Sequence, residues 1–126
     1  MDARESLEDY LERIVMLHEK NEVVRSVDLA NSMNFSKPSI SIALKKMREK
    51  ELVEVDNATG NIILTPKGKE IGEATYKRHK VISRILEDLG VNEEQALIDA
   101  CKIEHDLSEE TFSKLEAHLK EIEEKK

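Results

Sequence analysis

Residues 26–64 read SVDLANSMNFSKPSISIALKKMREKELVEVDNATGNIIL, and this stretch decides the fold. Ser26 is placed to cap a short helix that reaches about Met33. Asn34-Phe35-Ser36 reads as a turn, and Pro38 suits the first turn of the next helix, where its missing N–H costs nothing. Ile40, Leu44 and Met47 stand at i, i+4 and i+7, so one face of residues 37–50 is buried. Leu52-Val53-Glu54-Val55 and Asn61-Ile62-Ile63-Leu64 then flank the turn-rich Asp56-Asn57-Ala58-Thr59-Gly60, which predicts a hairpin. A short helix, a tight turn, a second helix and at once a two-stranded wing make a winged helix-turn-helix.

On the N-terminal side, Leu7, Leu11, Ile14 and Leu17 recur at helical spacing and predict an amphipathic helix over residues 4–20. On the other side, Thr65-Pro66 reads as N-cap and first helical residue of a long helix over 66–88. Its apolar positions are Ile71, Val81, Ile82, Ile85, Leu86 and Leu89, and Gly90 ends it. Asn92 begins another helix with Gln95 in the capping-box position, and Leu97, Ala100 and Ile103 as its buried residues. Ser108 caps a last helix with Phe112, Leu115, Leu119 and Ile122 along one narrow stripe. The fold class is therefore mainly α: an N-terminal winged helix-turn-helix followed by an all-helical domain.

The chain has 126 residues, enough for one or two small domains and too few for a large barrel. Its longest apolar run, Ile14-Val15-Met16-Leu17, is far too short to cross a membrane. Asp2, Ala3, Arg4 and Glu5 after Met1 leave no apolar signal segment. A single cysteine, Cys101, excludes an internal disulfide and fits a reducing cytoplasm.

The net charge of −7 speaks against a nucleic-acid partner until its distribution is read. Residues 1–86 hold 15 Lys and Arg against 14 Asp and Glu, whereas residues 87–126 hold 5 against 13. The acidic excess thus lies wholly in the last forty residues, and Lys67, Lys69, Lys77, Arg78 and Lys80 form a local basic run. The outer face of the second motif helix carries Ser36, Lys37, Pro38, Ser39, Ser41, Lys45 and Lys46. Hydroxyls at its N-terminus can donate to phosphates and base edges, and lysines further along neutralise phosphates. Lysine on a helix surface is common, so the order of elements, more than composition, points to DNA. Ile42 lies off the buried stripe, and two placements are open to it: against the first helix, or against thymine methyl groups.

The strongest chemical signal is Cys101-Lys102-Ile103-Glu104-His105. Positions i, i+3 and i+4 bring thiol, carboxylate and imidazole to one helix face. Asp9 and Glu12 form a second acidic pair at i and i+3, and His79 sits in the long helix. These are the mixed donors of a divalent transition metal. A buried thiol, a solvated acidic face and an ordinary surface histidine would account for the same residues, so the residues alone leave the two readings even. His18 and His118 read as surface helical residues.

Several segments together resemble the diphtheria-toxin-repressor and manganese-transport-regulator family of metal-dependent bacterial repressors, along nearly the whole chain. Ser6-Leu7-Glu8-Asp9-Tyr10-Leu11-Glu12 is similar to the family's opening helix, and Leu64-Thr65-Pro66-Lys67-Gly68 with Ile71-Gly72 to its segment after the wing. Arg78-His79 and Cys101-Lys102-Ile103-Glu104-His105-Asp106-Leu107-Ser108 are similar to its metal-binding segments. The resemblance implies a DNA-binding domain over 1–72 and a helical metal-binding and dimerisation domain over 73–126. Carried over by position, it implies the metal ligands Asp9, Glu12, His79, Cys101, Glu104 and His105. It implies a homodimeric repressor on palindromic operator DNA, in the cytoplasm, with no enzymatic activity and no membrane partner.

Two features cut across the family's branches. Asp9 and Glu12 match the manganese branch, whereas Cys101 matches the iron-responsive branch; Ser83 replaces a Glu that some members use in an ancillary site. The chain also stops before the SH3-like third domain of the longer members, as the manganese branch does. The expected metal is Fe²⁺ or Mn²⁺, with Fe²⁺ slightly ahead because of the thiol, and Co²⁺, Ni²⁺ or Zn²⁺ as substitutes in vitro. The competing readings are a metal-independent winged-helix regulator sensing a small molecule or Cys101 oxidation, a small metal-dependent hydrolase, and a helical interaction module. No His-Glu-x-x-His, phosphate loop or Gly-x-Ser-x-Gly supports a hydrolase.

Overall fold

The computed structural model describes residues 3–125, with side chains from residue 7 onwards; Met1, Asp2 and Lys126, at the ends of the expected domains, lie outside the described residues. The chain divides into two compact units, residues 1–74 and 75–126.

The first unit contains α1 (Ala3–Lys20), α2 (Ser26–Met33), α3 (Lys37–Glu49), β1 (Val53–Val55), β2 (Ile62–Leu64) and the start of α4 (Pro66–Asp88). Its core joins Leu11 and Ile14 of α1 to Leu29 and Ala30 of α2, to Ile40, Ala43, Leu44 and Met47 of α3, and to Leu52, Val53 and Ile62. The i, i+4, i+7 pattern read from α3 is thus its buried face.

The turn of the motif is closed by Asn34 in the left-handed conformation (φ 58°), a position Asn tolerates well. The Asn34 N–H donates to the Asn31 carbonyl and the Phe35 N–H to the Ala30 carbonyl, which satisfies the end of α2. Ser36 then caps α3: its Oγ accepts the Ser39 N–H at 3.3 Å. Ser36→Ala is expected to lower the stability of this unit by about 1 kcal/mol, read as a shift in the urea midpoint at constant m-value. At the start of α2 the structure corrects the sequence reading. Ser26 is the first helical residue, not the cap; Arg25 takes the cap position, and its N–H donates to the Asp28 carboxylate at 2.9 Å.

The wing is an antiparallel pair in the register Val53↔Leu64, Glu54↔Ile63 and Val55↔Ile62. Its root is fastened to the segment after α1. The Ile62 N–H donates to the Val24 carbonyl at 2.7 Å, and the Val24 N–H to Asn61 Oδ1 at 2.8 Å. His18 donates through Nε2 to the Ile62 carbonyl at 2.7 Å, so it is a tether to the wing and not the simple surface residue its helix position suggests.

After the wing, Thr65 caps α4, accepting the Gly68 N–H at 3.1 Å while its hydroxyl donates to the Glu51 carbonyl at 2.7 Å. Gly68 and Gly72, one turn apart, let α4 approach the main chain closely. A Cβ at Gly68 would fall onto the Leu52 carbonyl oxygen, and one at Gly72 would lie 2.8 Å from the Leu11 carbonyl oxygen.

The second unit contains the rest of α4, α5 (Glu93–Ile103) and α6 (Glu109–Glu124). Gly90 ends α4 as expected: its N–H donates to the Glu87 carbonyl and the Val91 N–H to the Leu86 carbonyl. Ile82, Ala96, Ala100, Phe112 and Leu119 form the buried apolar set. Lys77–Glu116 (2.9 Å) and Arg84–Glu123 (2.9 Å) join α4 to α6 along a solvated edge, where such pairs contribute little. Two expectations are corrected. Gln95 does not close a capping box, because its side-chain amide donates to Asp99 instead. Leu97 is exposed, and Ala96 faces inward in its place. Leu89 is 74% exposed, lying beyond the last buried turn of α4.

Candidate metal centre and nucleic-acid interface

In the second unit α5 ends at Ile103 and Glu104 takes the cap position, still with helical dihedrals (φ −55°, ψ −28°). The helical reading of residues 101–105 therefore holds as far as Glu104, while His105 begins the turn into α6. The Glu104 side chain is wholly buried, and both neighbouring imidazoles reach it. His79 Nδ1, from α4, lies 3.0 Å from Oε2, and His105 Nε2 lies 3.5 Å from Oε1. A carboxylate removed from water is costly to ionise unless it is paired, and here it stands between two nitrogen donors that are themselves largely buried. Two imidazoles and a carboxylate are a nitrogen and oxygen donor set that fits a divalent transition metal.

The remaining predicted ligands are placed as follows. Cys101 is exposed, one turn before Glu104, so it is not the buried structural thiol that would have been its ordinary role. Asp9 is half-buried and Glu12 buried on α1, so Glu12 is not part of a solvated acidic face. Burial, with the Asp9 carboxylate adding to it, pushes the Tyr10 phenol above its ordinary pKa of 10.0. Ser83 is buried and donates to the Lys80 carbonyl at 3.2 Å, so it offers no carboxylate to an ancillary site.

On α3, Ser36, Lys37, Pro38, Ser39, Ser41, Lys45 and Lys46 are all exposed. Ile42 is 60% exposed, which removes packing against the first helix as its role. The basic run over 67–80 does not form one free patch. Lys69 pairs with Glu73 at 3.8 Å, Lys77 pairs with Glu116, Lys80 lies 4.2 Å from the Tyr76 ring centre, and Arg78 turns inward. In the sequence Arg78 reads as part of the basic run and as a neighbour of His79; its partners, 26 to 31 residues further on, leave no local signal.

Residues 2–60 match the family described as "Iron dependent repressor, N-terminal DNA binding domain", and residues 65–126 match "Iron dependent repressor, metal binding and dimerisation domain". The chain belongs to the iron-dependent repressor family. Its two matched domains are those of a metal-dependent, DNA-binding transcriptional regulator, which favours the metal reading over a metal-independent winged helix. Among iron-dependent repressor relatives, the chain is 36% identical over 103 residues to the HTH-type transcriptional regulator MntR of Geobacillus thermodenitrificans, covering 82% of this chain and 72% of that protein. It is 34% identical over 123 residues to an uncharacterised HTH-type transcriptional regulator of Methanocaldococcus jannaschii, covering 96% and 98%. Among solved structures it superposes on the manganese regulator SloR with a TM-score of 0.80 at 29% identity, covering 90% of this chain and 53% of that one. A manganese-dependent transcriptional repressor in complex with manganese gives 0.80 at 26% identity, covering 90% and 52%. The chain thus spans about half the length of these two solved relatives.

Proposed function

We propose that this chain is a metal-activated repressor that binds operator DNA as a homodimer and has no catalytic role. The observation that carries the reading is the buried Glu104 carboxylate held between His79 and His105. Asp9, Glu12 and Cys101 join these three in the ligand set by resemblance alone. A bound divalent cation supplies the positive charge that a set with three carboxylates and a thiol lacks. Fe²⁺ is the favoured activator, with Mn²⁺ next, because a thiolate suits the softer ion.

Residues 1–72 act as the DNA-binding domain in this reading, and 73–126 as the metal-binding and dimerisation domain. Ser36, Lys37, Pro38, Ser39 and Ser41 present the N-terminal half of α3 to the major groove, and Lys45 and Lys46 neutralise phosphates. Exposed Leu89, Leu97 and Ile98 supply apolar surface for a two-fold partner. A symmetric dimer calls for a palindromic operator, with half-sites about 34–36 Å apart. The protein works in the cytoplasm, where the operator is; among the described residues no helix is long and apolar enough to cross a membrane.

The test is an anaerobic calorimetric titration of the metal-free protein with Mn²⁺ and, separately, Fe²⁺, followed by selection of bound sequences from random duplex DNA with and without metal. Saturable binding and metal-dependent recovery of a palindrome are expected. Failure of both ions to bind would remove the metal switch. Metal binding without any sequence enrichment would remove the repressor.

A further inference from the structure

Arg78 is a charged side chain only 16% exposed, and its anchors are spread along the turn from the end of α5 to the start of α6. Its Nη1 donates to the carbonyl oxygens of Glu104 at 3.3 Å and Leu107 at 2.7 Å. Its Nη2 donates to the Glu109 carboxylate at 2.6 Å, and Cζ lies 5.1 Å from the Phe112 ring centre.

The chemistry of this arrangement is specific. The last carbonyls of a helix have no partner within it, and the turn that follows α5 carries both Glu104 and His105. A single planar fork donates to the Glu104 carbonyl at the end of α5 and to the Leu107 carbonyl in the turn, and pins the first residue of α6, while the aromatic face covers the cation. Arg78 is also the chain neighbour of His79. One residue therefore ties the turn bearing two donors to the helix bearing the third.

We propose that Arg78 is a positioning residue of the metal centre: its guanidinium sets the distance of Glu104 and His105 from His79 and so sets metal affinity. It touches no donor atom and acts through the backbone of the turn. The inference rests on the metal reading above. Lysine cannot replace it, because one ammonium keeps the charge but cannot span two carbonyls and a carboxylate in a plane.

The test uses Co²⁺ alone as the probe, titrated into the full chain and followed by visible absorption, with thermal unfolding of the metal-free protein alongside. For Arg78→Lys, native helix content, a roughly 10–100-fold weaker Co²⁺ affinity and an altered band shape are expected, as for loss of an outer-shell support. A folded Arg78→Lys protein with wild-type affinity and spectrum would overturn the proposal and leave Arg78 a fold residue only. Should that variant not fold, Glu109→Ala carries the test: it removes one anchor at an exposed side chain, an affinity about 3-fold weaker is expected, and an unchanged one overturns the proposal. Wild-type protein that takes neither Co²⁺ nor Mn²⁺ would instead overturn the metal reading on which it stands.

Discussion

Glu104→Ala is expected to keep the fold and lose divalent-metal binding by roughly 100-fold or more, at or beyond the upper end of what outer-shell changes cost. Glu104 is the group that both imidazoles approach, at 3.0 Å and 3.5 Å, and its side chain has no exposure through which solvent could replace it. Alanine leaves two nitrogen donors facing a small void. Glu104→Gln separates charge from shape: it fills the same volume and still accepts from His79, but brings no negative charge. A loss nearly as large as for alanine is expected, because the charge and not the bulk holds the ion. The readout is thermal unfolding with and without Mn²⁺. At 100 times its Kd a ligand stabilises the folded state by about 2.7 kcal/mol, so wild-type protein shows a clear rise in midpoint. Either variant should show none at the same concentration. A retained rise would place the metal elsewhere.

Gly68→Ala is expected to have the largest effect on the stability of the first unit. The Cβ would fall on the carbonyl oxygen of Leu52 and crowd its carbon and Cα. These are backbone atoms, and the same oxygen already accepts the Thr65 N–H at 3.0 Å. No flexible side chain can move aside, so the start of α4 must shift and strain the Thr65 hydroxyl bond to Glu51. Overpacking of this kind costs about 3 kcal/mol, which lowers the midpoint of a unit this size by roughly 10–20 °C. Alanine is otherwise the better helix former, so an unchanged or raised midpoint would show that the close approach is absent in solution.

Most of the fold is legible in the sequence because its signals are local. The Asn34-Phe35-Ser36 turn, the Thr65 cap, the hairpin between Val55 and Ile62 and the Gly90 stop each rest on residues a few positions apart. Ser26 fails as a cap because the helix begins one residue earlier than its side chain suggests: Arg25 takes the cap position, with its N–H bonded to the Asp28 carboxylate three residues on. Leu97 fails for another reason: helical spacing identifies an apolar stripe but not what covers it. A stripe awaiting a second protein copy and a stripe on the chain's own core look alike. In the candidate centre, Glu104 and His105 are legible from their spacing, whereas His79 stands out only as a histidine in the long helix, and the family resemblance gives it a partner. The roles of Arg78 and His18 depend on carbonyls 26 to 44 residues away, and backbone carbonyls carry no side-chain identity for a sequence to display.

The three bonds at the root of the wing, from His18, Val24 and Ile62, bear on association rate. Ordering a residue's backbone costs about 1–2 kcal/mol, and at the wing root that cost is met when the chain folds. The root of the hairpin is therefore ordered before any partner is met, which lowers the ordering cost of binding. Loosening the root by His18→Ala is expected to slow association with duplex DNA in stopped-flow mixing, while leaving the exposed side chains of α3 in place.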